Sequence, residues 1–283
     1  MKTVRIIPHL DIKGPNLVKG IHLEGLRVLG KPEDFARYYY ENGADELIYM
    51  DVVASLYGRN SLEDIISRTA KEIFIPLTVG GGLRNINDIN NVLRAGADKV
   101  CLNTAAIKNP HIIEEASKKF GSSTIVVTIE AIKQTNGKYL CFIDNGREYT
   151  GIDVFDWAAE VCNLGAGEIV ITSVDNEGTG SGFDIELTRR VAQLVSIPVI
   201  AHGGAGCEKD ILKVIVEGKA DAVSIASILH YDYISNTIFS EFNSNKEGNI
   251  EFLKKGKSFN KILPCNLHLI KNYLTENAIE CRN

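Results

Sequence analysis

Apolar positions fall along the chain in two rhythms. Short β-branched runs predict strands at Val4–Leu10, Glu46–Asp51, Ile75–Val79, Lys99–Asn103, Thr124–Glu130, Glu168–Ser173, Ile197–His202 and Asp221–Ala226. Between them, apolar residues at three-to-four spacing predict helices near 32–42, 61–72, 86–95, 109–119, 153–164, 184–195 and 208–217, with Ile112, Ile113, Ala116 and Phe120 showing the stripe. Strands alternating with helices predict parallel strands and right-handed crossovers.

An internal repeat narrows the architecture. Gly43-Ala44-Asp45-Glu46-Leu47-Ile48 returns as Gly165-Ala166-Gly167-Glu168-Ile169-Val170. Ile75-Pro76-Leu77-Thr78-Val79-Gly80-Gly81-Gly82 returns as Ile197-Pro198-Val199-Ile200-Ala201-His202-Gly203-Gly204, and Ala97-Asp98-Lys99-Val100 as Ala220-Asp221-Ala222-Val223. Three matches in one order describe two fused (β/α)4 halves, so the prediction is a single α/β domain over residues 1–283, a (β/α)8 TIM barrel. Two stretches fall outside the repeat. Residues 131–151, with Asn136-Gly137 and Asn145-Gly146, predict a hairpin excursion after strand 5. Residues 231–264 are polar and read as a solvated insertion before a final helix at about 266–277.

Composition removes other classes. The net charge is −5, with no basic tract for nucleic acid and no apolar run of the roughly 18 residues that a membrane helix needs. The start, Met1-Lys2-Thr3-Val4-Arg5, leads into a strand rather than a signal peptide. The six cysteines (101, 141, 162, 207, 265, 281) form no C-x-x-C pair and the six histidines no H-E-x-x-H. The expectation is a reducing, cytoplasmic setting, without a metal site or cofactor.

In such barrels chemistry stands at the C-terminal ends of the strands. Strands 3 and 7 run into Gly80-Gly81-Gly82 and Gly203-Gly204-Ala205-Gly206, and strands 4 and 8 end in Asn103-Thr104-Ala105 and Ala226-Ser227. Such ends either cradle two phosphates on backbone N–H groups or simply make tight turns. Asp11 and Glu130 end strands 1 and 5, on opposite sides of the mouth, and suit a general acid and base if their environments separate their pKa values. The alternative for Asp11 is ion pairing with Lys13 or Lys19. Asp51 is a third carboxylate, an orienting group. Asp175, Glu177 and Thr179 line a polar loop after strand 6, a sugar-phosphate contact or an ordinary turn. His9 and His202 are acid–base groups or core histidines. At the opposite face Arg5, Glu46, Lys99 and Glu168 must pair if they point inward, as a salt-bridged plug or as a polar gate for a small molecule.

The segments Arg5-Ile6-Ile7-Pro8-His9-Leu10-Asp11-Ile12-Lys13, Thr78-Val79-Gly80-Gly81-Gly82, Asn103-Thr104-Ala105-Ala106, Thr172-Ser173-Val174-Asp175 and Gly203-Gly204-Ala205-Gly206 resemble the cyclase subunits of imidazole glycerol phosphate synthase, of histidine biosynthesis. The likeness spans residues 4–230 and resumes in the last helix and Ile279-Glu280-Cys281-Arg282. It implies a reaction of a bisphosphorylated ribulosyl aminoimidazole carboxamide ribonucleotide with ammonia, giving imidazole glycerol phosphate and an aminoimidazole carboxamide ribotide. It further implies a glutaminase partner at the barrel bottom, facing Asp98, with ammonia passing the gate Arg5, Glu46, Lys99 and Glu168. The implied catalytic pair is Asp11 and Glu130. The implied substrate-binding set is Lys19, Asp51, Gly82, Asn103, Thr104, Thr172, Glu177, Gly178, Gly203, Gly204, Ala226 and Ser227. The sequence departs from the pattern at Glu130 and Glu177, where Asp is usual, at His9 for Cys and His202 for Ser, and at Gly14-Pro15-Asn16. These changes cluster at the mouth while the bottom residues match. They favour an alternative, an ammonia-channelling paralogue serving a sugar amidotransferase of surface-polysaccharide biosynthesis. A third reading is an idle partner that only activates the glutaminase.

Overall fold

The structure, a computed structural model, describes residues 3–54, 62–241 and 261–282. Its strands are β1 (Arg5–Lys13), β2 (Asn16–Ile21), β3 (Glu24–Gly30), β4 (Leu47–Asp51), β5 (Leu77–Gly80), β6 (Lys99–Leu102), β7 (Ile125–Lys133), β8 (Tyr139–Ile143), β9 (Glu148–Asp153), β10 (Glu168–Ser173), β11 (Val199–His202) and β12 (Ala222–Ile225). Strands β1, β4, β5, β6, β7, β10, β11 and β12 pair in parallel in that order, and β12 returns to β1. The barrel is therefore closed, a single (β/α)8 TIM barrel. Its helices are α1 (Pro32–Glu41), α2 (Glu63–Thr69), α3 (Ile86–Ala95), α4 (Thr104–Lys108), α5 (His111–Phe120), α6 (Val154–Asn163), α7 (Ile185–Leu194), α8 (Glu208–Val216), α9 (Ser227–Glu241) and α10 (Leu267–Glu276). None among the described residues is long and apolar enough to cross a membrane.

Side chains alternate along each strand, which separates two cores. Ile6, Leu10 and Ile12 of β1 pack outward against helix residues such as Phe35, Tyr39 and Ile270. The inward positions stack as layers along the barrel axis. At the N-terminal end Arg5, Glu46, Lys99 and Glu168 form a ring. Above it lies an apolar layer of Ile7, Ile48, Cys101, Val126, Val170, Ile200 and Ala222. The next step up each strand is polar, with buried His9, Thr128, His202 and Ser224.

The Ala-Asp repeat has a structural cause. Asp45, Asp98 and Asp221 stand just before strands, and each accepts a backbone N–H from a neighbouring strand: Ile6 at 2.7 Å, Leu77 at 2.9 Å and Val199 at 2.7 Å. Where the fourth member would be, Gly167 sits so close to Ser122 that a Cβ would lie 2.2 Å from the Ser122 carbonyl oxygen.

Two antiparallel hairpins rise from the mouth. β8 and β9 follow β7, turning at Asp144 and Asn145 with φ of 53° and 64°. The hairpin β2–β3 after β1 is absent from the sequence prediction. Its turn residues, His22 and Leu23, adopt φ of 53° and 61° without the Gly or Asn that marks such a turn. Within the 231–264 stretch, read above as a solvated loop, residues 231–241 continue α9 and Tyr231, Ile234 and Ile262 are buried, because Leu263 and Cys265 hydrogen-bond back to Gly206 and Ile228. The remainder, 242–260, lies outside the described residues.

Candidate active site

The C-terminal strand ends bring the site residues together in two groups. The first surrounds a cavity of about 300 Å³, lined by Asp51, Gly82, Asn103, Thr104 and Glu130 together with Asp144 of the second hairpin. Gly81 has φ +98°, and a Cβ there would strike the Asp51 carbonyl oxygen at 2.3 Å, so this position is fixed as glycine by packing; Gly81 and Gly82 both line the cavity. Asp51 accepts the Val53 N–H at 3.1 Å. The Thr104 hydroxyl holds the β8–β9 turn by accepting the Asp144 N–H at 3.2 Å.

Glu130 accepts the Gly146 N–H at 2.7 Å and also bonds Asn103. Burial outweighs those bonds and, with the like charges of Asp144 and Asp11, pushes its carboxyl up to about 7. A carboxyl in that range holds its proton in about half the molecules at neutral pH and suits a proton donor.

The second group is built on Asp11, four barrel strands away from Glu130. Asp11 accepts from His9 Nε2 at 3.3 Å and faces Lys19 Nζ at 3.7 Å. Burial alone would raise its carboxyl; the His9 hydrogen bond and the Lys19 charge outweigh burial and hold it well below the usual carboxylate range. Lys19 is buried too, yet Glu177 and Asp11 push it up to about 12. Glu177 gives one oxygen to Lys19 and the other to the Leu23 N–H at 3.1 Å, while its own carbonyl accepts from His22. It thus fastens the β2–β3 turn and positions Lys19. Elsewhere in that loop Asp175 accepts the Lys133 N–H and Thr179 donates to the Asn176 carbonyl. Gly178 packs on the Gly20 carbonyl.

Between the groups, Thr172 of β10 lies in register with Glu130 on one side and His202 on the other. The other glycine end mirrors the first: Gly203, φ +90°, would drive a Cβ into the Ser173 carbonyl oxygen at 2.6 Å. Gly204 packs on the Gly182 carbonyl. Ala226 and Ser227 follow β12, both buried, with Ser227 opening α9. None of these four lines the 300 Å³ cavity, nor do Asp11 and Lys19.

The sequence reading missed His230 and Tyr39. Tyr39 Oη lies 2.6 Å from His230 Nδ1, and His230 Nε2 lies 3.0 Å from the His9 carbonyl oxygen. That oxygen only accepts, so His230 donates from Nε2 and accepts from Tyr39. Burial and the Lys19 charge hold His230 neutral, at about 3. A helix histidine facing a helix tyrosine carries no sequence signal.

At the floor, Arg5 bonds Glu46 at 2.7 Å and Glu168 at 2.9 Å, and Lys99 bonds the same two at 2.9 and 3.2 Å. Burial lowers the pull of Arg5 on its proton, but Glu168 and Glu46 reverse this and raise it. Glu168 Oε2 is buried without a hydrogen-bond partner among the described residues. Asp98 is exposed at this face. Among the described residues no group of three or more His, Cys, Asp and Glu is placed to hold a metal ion.

A closed parallel barrel with an ion-paired floor, an apolar axis and two carboxyl groups at its mouth defines a (β/α)8 barrel whose polar chemistry is gathered at the strand C-termini. The family model described as "Histidine biosynthesis protein" matches residues 5–235. A Legionella pneumophila protein named imidazole glycerol phosphate synthase subunit HisF is 58% identical over 206 residues, covering 73% of this chain and 97% of that protein. The subunit of the same name from Alkaliphilus metalliredigens is 45% identical over 235 residues, 83% of this chain and 93% of its own. That from Prochlorococcus marinus (strain MIT 9301) is 48% identical over 232 residues, 81% and 91%. The chain belongs to the histidine biosynthesis protein family, among the HisF-like subunits of imidazole glycerol phosphate synthase.

Proposed function

We propose that the chain is the cyclase subunit of an imidazole glycerol phosphate synthase, a lyase of histidine biosynthesis. It takes ammonia and the bisphosphorylated ribulosyl aminoimidazole carboxamide ribonucleotide to imidazole glycerol phosphate and the aminoimidazole carboxamide ribotide. One observation carries the reading. Asp11 and Glu130 face each other across the mouth in opposite protonation states, one held ionised and one protonated in part near neutral pH. That is the division of labour an addition and ring closure needs, an anion to support a base and a carboxyl to donate. Gly82, Asn103 and Thr104 receive one phosphate, and Gly203, Gly204, Ala226 and Ser227 the other.

Ammonia enters from a glutaminase subunit docked on the N-terminal face, at Asp98. The floor ring is its gate rather than a plug: the unpaired Glu168 Oε2 offers an acceptor, and the apolar layer above gives no site where a neutral molecule is held. The six free thiols accord with a reducing cytoplasm.

The conduit paralogue remains as a second reading, supported by the cavity stopping short of the Gly203 and Ser227 cradle. Calorimetric titration of the bisphosphorylated substrate into the full chain separates the two. The cyclase binds it, and Thr104→Ala and Ser227→Ala each weaken binding by about tenfold, the loss of one charge-assisted hydrogen bond. Absence of binding, or sensitivity to Thr104→Ala alone, would support the conduit.

A further inference from the structure

The cavity beside Glu130 is the proposed seat of one phosphate, yet a second carboxylate, Asp144, forms part of its wall. Asp144 stands in the β8–β9 turn with its side chain mostly buried. It holds Thr104 twice. Its N–H donates to Thr104 Oγ1 at 3.2 Å, and that hydroxyl donates back to Asp144 Oδ1 at 3.4 Å. Thr104 has a single hydroxyl proton, so it cannot serve this carboxylate and a phosphate together. Lys108, four residues on along α4, lies 3.7 Å from the other carboxylate oxygen and lines the same cavity. Its side chain is more than half exposed, and Glu148 lies 3.8 Å from the same ammonium. A hydroxyl and an ammonium are donors that suit a phosphate. Here they converge on an anion of the chain itself.

We propose, on the cyclase reading above, that Asp144 is a resident anion of this cradle, holding Thr104 and Lys108 until a substrate phosphate displaces it and takes both. No covalent bond changes. The Thr104 proton turns from Asp144 Oδ1 to a phosphate oxygen, Lys108 follows, and the Asp144 carboxylate turns out to water. The phosphate wins the exchange because it carries close to two charges and three acceptor oxygens against the single charge of a carboxylate. Were both to stay, two anions would share one hydroxyl in a partly buried pocket, where like charges repel more strongly than in water. The charged groups bordering the cavity are Asp51 of β4, Arg84 after β5, Lys108 of α4, Glu130 of β7 and Asp144. Glu130 feels the exchange. Burial raises its carboxyl first, and the charges of Asp144 and Asp11 add to that. Gly146, in the same turn as Asp144, donates its N–H to Glu130 at 2.7 Å. A phosphate in place of Asp144 keeps negative charge beside Glu130, so the proton donor stays loaded when the substrate is seated.

The test titrates inorganic phosphate into the full chain and follows the Thr104, Asp144 and Gly146 amides by NMR. Asp144→Asn keeps the N–H and suits the left-handed turn, φ +53°. It is expected to lower the phosphate Kd by about tenfold, the release of one charge-assisted hydrogen bond. In a Thr104→Ala background the same change gains less than about threefold, because the grip is already gone. Parental or weaker affinity in Asp144→Asn, or equal gains with and without Thr104, would overturn the inference and leave Asp144 a turn residue or a plain repulsive charge. The Glu130 carboxyl supplies a second reading. Its ¹³C midpoint is expected to fall in Asp144→Asn and to rise again with saturating phosphate, and a midpoint that Asp144→Asn leaves in place would overturn the inference as well. Inorganic phosphate needs no turnover, so the two readings fail separately. Tightened phosphate binding in a chain that leaves the ribulosyl substrate unconsumed would strike the cyclase reading and keep the resident anion. Turnover with phosphate binding unchanged by Asp144→Asn would strike the resident anion alone.

Discussion

A single methylene separates Glu130 from the aspartate that the family resemblance implies, and its carboxylate is held by the second hairpin. The longer side chain reaches the Gly146 N–H of the second hairpin at 2.7 Å, so Glu130 is tied to a turn as well as to the cavity. Its carboxyl sits at about 7 against an ordinary 4.5. The native state therefore binds that proton more tightly than the unfolded chain, and this contribution to stability declines as pH rises from about 4.5 to about 7. Glu130→Gln removes the titration. Its expected signature is a gain over the parent chain of up to about 3 kcal/mol at pH 8, absent at pH 4, read by urea unfolding. Ammonia-supported turnover falls by about a hundredfold in the same variant. A variant no more stable at pH 8 than at pH 4 relative to the parent would show that Glu130 is not held protonated. The sequence made Asp11, Glu130 and Lys19 visible because carboxylates and a lysine at strand ends are conspicuous. It could not show that Lys19 is clasped by Glu177, since nothing in the spacing of 19 and 177 brings a hairpin across to the β10 loop.

At the scale of elements, the half-barrel repeat extends to the hairpins. One follows the first strand of each half, and the two turns meet over the mouth, where Asn145 Nδ2 donates to the Leu23 carbonyl at 2.7 Å. This contact couples the arm that carries Lys19 to the arm that caps Glu130. Asn145→Ala is expected to loosen both turns by about 1 kcal/mol, seen as roughly fivefold faster amide exchange at His22–Gly25 and Asp144–Gly146 with the barrel strands unchanged. Unaltered exchange in the first turn would mean that the arms are independent. The barrel strands and most helices were legible, since parallel strands buried on both faces read as apolar runs. The β2–β3 hairpin was not, because Leu23 and His22 occupy left-handed conformations that ordinarily advertise themselves by Gly or Asn. The repeat position Gly167 is similarly explained only by its neighbour. Gly167→Ala should destabilise by about 1–3 kcal/mol through overpacking on Ser122, whereas a neutral effect in thermal unfolding would show that the 3-10 turn Ser122–Thr124 yields freely.

For the whole molecule, the layering along the axis links one face to the other. The ion-paired ring closes the floor, seven apolar side chains line the next level, and the histidine level stands beneath the carboxyl groups. On the proposed gate reading, ring and mouth are the two ends of one path. Lys99→Ala leaves Glu46 and Glu168 with Arg5 alone. In a complex with the proposed glutaminase, the glutamine hydrolysed per product formed is expected to rise, and turnover with free ammonium to change less. An unchanged ratio would return the ring to a plug. The most direct measurement of the central claim needs no partner: the purified full chain is incubated with ammonium and the bisphosphorylated ribulosyl substrate, and products are followed by mass spectrometry. Imidazole glycerol phosphate and the aminoimidazole carboxamide ribotide are expected in equal amounts. A folded chain that leaves the intact substrate unconsumed would contradict that claim.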